Sequence, residues 1–196
     1  MAIEVQPGGA RVLGRTELPA FRDRPPPEWG REYLSFAREL GIEHVAATLC
    51  LPREEAVLRT LRLPPMRTGE LAKAVALQVE DLHPYGARPV HFASAPLSDE
   101  PLAAGRRTVA IAIAEADRIE SYARLFSEAG IKLAACTVSA GALRAVVRLQ
   151  GQGPRRPFAM AIRAGQNVEI YGESDETPLL SSALDLGGMT LQGALR

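Results

Sequence analysis

"LPREEAVLRTLRLPPMRTGELAKAVALQVEDLHPY", Leu51 to Tyr85, passes from a proline-bounded apolar segment into an amphipathic one and closes on His-Pro-Tyr. Pro52 cannot donate to a strand ladder, so it ends one strand and lets "AVLRTLRL" begin as another, in which Val57, Arg59, Leu61 and Leu63 share a face. Pro64 and Pro65 end that second strand. Thr68 can cap a helix with Glu70 in its first turn, and Leu71, Val75, Val79 and Leu82 then recur on one side until Pro84 stops propagation. The spacing therefore predicts a helix over Thr68 to His83. Strands and a helix in so short a span make the chain a mixed α/β protein.

Downstream of this stretch, "RPVHFASAPL" and "RTVAIAIA" read as strands around a polar loop. Ile119, Tyr122, Ala123, Phe126 and Ala129 then mark a helix from Ala116 that stops at Gly130. We expect this helix and the one over Thr68 to His83 to pack on one sheet. "IKLAACTV" is a further strand, and Ser139 to Leu149 a short helix. "QGQGPRRP" follows as a linker, because Gly, Gln and Pro cluster there without apolar periodicity. Past it, "FAMAIRAG", "NVEIYG" and "PLLSSALDLGG" read as three short strands, and "MTLQGALR" as the first turns of a helix cut short. A larger domain continuing beyond Arg196 is the expectation. Upstream, "IEVQ" and "ARVLGRTEL" flank Pro7-Gly8-Gly9 and predict a hairpin. "PAFRDRPPPEWG" is a proline-rich loop, Pro27 to Leu40 a helix stopped by Gly41, and "HVAATLCL" a buried strand.

With 196 residues, 46% of them apolar, the chain can bury one ordinary core or two small ones. Twenty-three basic residues balance twenty-three acidic ones, which argues against a nucleic-acid partner. Lys73 and Lys132 are the only lysines, and the abundance of arginine reads as a compositional habit rather than a set of anion sites. No apolar run reaches the ~18 residues that a membrane span needs, and "MAIEVQPGGAR" lacks a signal-peptide pattern. Cys50 and Cys136 each sit in an apolar strand, where a free thiol is expected to be a small buried hydrophobe in a reducing compartment.

Catalytic patterns are absent from the sequence. His44, His83 and His91 show no paired spacing, so no metal site is expected. Neither GxSxG nor a Walker-type phosphate loop occurs. Glu80 and Asp81 are helix neighbours that point apart, so they read as solvated surface, and His83 as a last-turn cation near the helix dipole.

The order strand, "LPREEAVLRTLRLP", helix closing on His-Pro-Tyr, strand pair, "YARLFSEAGIKLAACTVSAGAL" resembles the PilM family of type IV pilus assembly proteins, with GspL-type secretion proteins and FtsA as more distant relatives. The resemblance covers Val45 to Leu149 and extends into "AIRAGQNVEIYG" and "LLSSALDLGGMTLQGAL". It implies a partial actin-like (ribonuclease H-like) fold. Residues 1–44 would give a first-lobe hairpin and helix, 45–150 an inserted αβ subdomain, and 157–196 the start of a second lobe.

What the resemblance implies about nucleotide depends on individual residues. The family's first phosphate loop, Asp-x-Gly followed by Ser or Thr, has no counterpart in "EVQPGGAR". Its second-lobe Asp-Ile-Gly falls on Arg163-Ala164-Gly165, where a guanidinium replaces the metal-facing carboxylate and cannot position magnesium and water. Gly165, Gly187 and Gly188 are the candidate nucleotide contacts that survive, although a Gly-Gly also suits a plain turn before a helix. ATP and magnesium are therefore expected, if at all, only in a larger parent protein, and catalysis is not expected of this chain.

The resemblance further implies a peptide groove between the first lobe and the inserted subdomain. "AVLRTLRL" is the candidate wall, with Val57, Leu61 and Leu63 as an apolar row and Arg59 as a cation for a peptide carboxylate or carbonyl. The other reading of that row is that it faces the core. Three functions follow. The first is a non-catalytic component of a type IV pilus or type II secretion assembly platform, cytoplasmic and peripheral to a bacterial inner membrane, binding a PilN-like protein and other platform proteins. The second is part of an ATP-binding actin-like protein, and the third a small-molecule sensing domain.

Overall fold

In the computed structural model, the structure describes residues 1–6, 9–43, 46–64, 66–97, 107–149, 157–164, 167–174 and 179–185. The ends of the chain's first hairpin are β1 (Ala2–Gln6) and β2 (Gly9–Gly14), paired antiparallel as the alternation predicts. Helix α1 (Pro26–Glu39) carries proline in its first turn, where the missing N–H costs nothing, and Gly41 just beyond it takes the left-handed φ of 72°. Strand β3 (Ala47–Leu51) pairs in parallel with β7 (Leu133–Val138). Between them the chain builds β4 (Val57–Leu63), α2 (Thr68–Ala76), α3 (Val79–Leu82), β5 (Val90–Pro96), β6 (Arg107–Glu115) and α4 (Ala116–Glu128). Helix α5 (Ser139–Leu149) follows β7, and β8 (Phe158–Ala164), β9 (Asn167–Glu173) and β10 (Leu180–Asp185) form an antiparallel meander.

Strands β4, β6 and β5 form one antiparallel sheet in that order. The period of two sorts β6 cleanly. Val109, Ile111 and Ile113 are fully buried on one face, where Leu63 joins them beneath Leu71, Val75 and Val79 of α2 and α3. Ala110, Ala112 and Ala114 occupy the other face.

Two expectations about the helices need correction. The single helix over Thr68 to His83 is broken after Ala76: Gln78 N–H bonds Val75 O at 3.0 Å, a tightened final turn that leaves Leu77 in solvent and returns Val79 to the core. Its start is also differently capped, since Thr68 is already helical and the Glu70 carboxylate accepts the Arg67 N–H at 3.0 Å. The two helices do meet one sheet but on its opposite faces: α2 and α3 cover Val109, Ile111 and Ile113, whereas Tyr122 of α4 packs on Ala114 of the other face together with Leu51 of β3. There α1 approaches closely as well: a Cβ added at Gly30 would lie 2.3 Å from the Ala129 carbonyl oxygen, and Trp29 stacks edge-on against Phe21 and Phe126.

The cysteines also depart from expectation, because both are exposed. A two-stranded sheet covers little of its own surface, so alternate residues of β3 and the run Ala134 to Cys136 of β7 are exposed, whereas Leu51 is buried. Partial desolvation still holds both thiols above their ordinary pKa, which disfavours the thiolate a nucleophile needs.

Candidate functional site

The alanine face of the three-stranded sheet is only partly covered by a helix, since α4 packs at its Ala114 end through Tyr122. Between it and the β7–α5 segment lies a cavity of about 480 Å³. Ala110 and Ala112 of β6 and Leu58 of β4 give its floor, Thr137, Val138, Ala140 and Gly141 its far wall. Small side chains explain the space, since a sheet face of alanines leaves the layer opposite without bulk to interdigitate.

Five consecutive residues of β5, His91 to Ala95, border the groove. Successive side chains of a strand point to opposite faces, so an unbroken run means that the backbone edge itself forms part of the wall. Among the described residues that edge is unpaired, because β5 is an outer strand of the β4-β6-β5 sheet. A groove with an apolar floor beside an unpaired strand edge can take an extended segment by main-chain hydrogen bonds, with alternate side chains in the pocket.

One end of the groove is polar. Arg144 and Arg148 of α5 converge there on Glu173, a carboxylate only 3% exposed. Arg148 Nη2 donates to Glu173 Oε2 at 3.1 Å, Arg144 Nε lies 3.9 Å from Oε1, and the Tyr171 hydroxyl donates to Oε1. Arg144 Nη2 also donates to the Leu97 carbonyl. Burial first, and then the bonded carboxylate, raise the Tyr171 hydroxyl far above the ordinary tyrosine range, so it remains a donor.

The residues expected to bind a partner lie elsewhere. Val57, Leu61 and Leu63 point to the opposite face and pack with α2 and α3, where Leu63 is buried. Arg59 on the same row is exposed and donates to the carbonyl of its neighbour Leu58 at 3.0 Å. Of β4, the groove takes Leu58. Gly165, Gly187 and Gly188 lie outside the described residues, as do His44 and the expected terminal helix. Among the described residues, no three His, Cys, Asp or Glu side chains come together as a metal site would require. A signal for the groove was present in "TVAIAIA": a strand with large residues on one face and a threonine and three alanines on the other has a special neighbour on its small face.

No protein-family model matches the chain, and no curated protein does. Solved structures do. A structure described as the "PilM-PilN type IV pilus biogenesis complex" superposes with a TM-score of 0.69 over 94% of this chain and 57% of that one, at 19% identity. The cytoplasmic domain of EpsL, an inner-membrane component of the type II secretion system of Vibrio cholerae, does so with a TM-score of 0.53 over 85% of this chain and 60% of that one, at 16% identity. The chain thus spans less than two thirds of either, and its fold is the actin-like PilM/GspL fold.

Proposed function

We propose that this chain acts as a non-catalytic scaffold in a type IV pilus or type II secretion assembly platform, holding a short extended segment of a PilN-like membrane protein at the cytoplasmic face of the inner membrane. The observation that carries the proposal is the groove: apolar, open, and bordered by a β5 edge that no described residue pairs. Its fold likeness to a structure described as a complex of PilM with PilN supports the choice of partner. No helix among the described residues is long and apolar enough to cross a membrane, so on this reading attachment comes through the partner.

The test is titration calorimetry of the N-terminal cytoplasmic peptide of a PilN-like protein against the parent and two groove-filling variants, Ala112→Phe and Ala93→Phe. Both should weaken binding by about tenfold or more, because the added ring occupies the space of the peptide's side chains. A site on the opposite face, built on Val57, Arg59, Leu61 and Leu63, predicts the reverse: Arg59→Ala weakens binding and the groove variants do not.

A further inference from the structure

Among the described residues, the groove's lining includes Arg144 and Arg148 but no aspartate or glutamate, although the whole chain has equal numbers of acidic and basic side chains. Glu173 sits behind the two arginines and offers one negative charge to two positive ones, so among the described residues the arginine end keeps a cation in excess. Its donors are also underused. A guanidinium has five N–H groups, and among the described residues Arg144 spends Nη2 on the Leu97 carbonyl while its buried Nε has no hydrogen-bond partner.

Resting on the groove reading above, we propose that this end recognises a carboxylate, so that the segment bound there is an apolar strand carrying an Asp or Glu. Glu173, fixed by the Tyr171 hydroxyl, is the positioning residue that holds both guanidinium groups at the mouth. A carboxylate matches the guanidinium fork in two parallel hydrogen bonds, and the partly buried setting strengthens the pair relative to open solvent. The alkyl part of the ligand then runs over Ala110 and Ala112. A neutral amide of the same shape meets the same apolar floor but supplies no charge to the cation in excess.

The test needs no knowledge of the partner's sequence. Octanoate and octanamide are titrated into the full chain while the arginine Nε–H resonances are followed by NMR, in the parent, in Arg144→Gln and in Arg148→Gln. Octanoate should shift the Arg144 signal and bind about tenfold more tightly than octanamide. That preference should shrink to near unity in Arg144→Gln and fall in Arg148→Gln. Equal binding of acid and amide, no binding of either, or a preference that survives both substitutions overturns the proposal. A second arm separates it from the groove reading: in the PilN-like peptide, each Asp or Glu is replaced by its amide. If groove-filling variants abolish binding but no acidic replacement matters, the groove stands and the carboxylate site falls. If octanoate binds at Arg144 but the peptide ignores Ala112→Phe, the carboxylate site stands and the peptide's place in the groove falls.

Discussion

Tyr171 shows how much one buried hydroxyl can decide. Its oxygen donates to a nearly inaccessible carboxylate, and its ring belongs to the cluster with Ala140 and Val147 that ties α5 to β9. Removing the hydroxyl leaves one Glu173 oxygen short of a donor, so Tyr171→Phe should cost about 1 to 3 kcal/mol at neutral pH. The pH dependence has a definite sign. The folded state holds the tyrosine proton more tightly than the unfolded chain does, so the parent's advantage is whole below about pH 10, the ordinary tyrosine value, and is lost as pH rises toward the folded one. Urea unfolding of both proteins between about pH 8 and pH 11 should show the gap between them narrowing at the alkaline end. Parallel curves would mean that the hydroxyl does not hold Glu173.

Along α2 and α3 the break after Ala76 separates two neighbouring apolar residues into opposite fates. Leu77 is 84% exposed and Val79 3%. A charge at Val79 would sit against Ile111 and Ile113 without a partner, so Val79→Asp should cost at least about 3 kcal/mol. Leu77→Gln should change stability by no more than about 0.5 kcal/mol. Denaturation midpoints for the two variants check the break directly, because a continuous helix that turned Leu77 inward would penalise both.

Among the described residues, four small sheets form without one dominant core, and single side chains bridge distant elements. Arg53, in the short 3-10 turn Arg53–Glu55, is the clearest: Nη1 bonds the Ala56 carbonyl at 2.7 Å, Nε reaches the Ser181 carbonyl of β10 at 3.4 Å, and its own N–H faces the buried Glu169 of β9. The turn between β3 and β4 is thereby tied to the last sheet. Arg53→Met keeps the aliphatic stem and removes the donors, so amide exchange in β9 and β10 should quicken by several-fold while the α2–α3 layer is unchanged. Uniform quickening in both places would assign Arg53 to global stability instead.

Elements whose signal is local were legible in the sequence. Prolines and glycines fix where backbone can donate or turn left-handed, which is why α4 stops before Gly130, whose φ is 74°, and α1 before Gly41, whose φ is 72°. The alternation in β6 likewise announced a strand with a large and a small face. What the sequence left open was which face meets what. Val57, Leu61 and Leu63 could have walled a peptide site or a core, and only the packing of α2 and α3 onto them chose the core. Cys50 and Cys136 were exposed because their sheet has two strands, a count that no local pattern contains. Arg144 and Arg148, far apart along the chain from Ala93 and Ala112, share one groove with them, and Glu173 of a still later strand holds both arginines, because pairing and packing bring distant segments together. Period and composition determine a side chain's direction within its element, while its neighbours are set by contacts that span the chain.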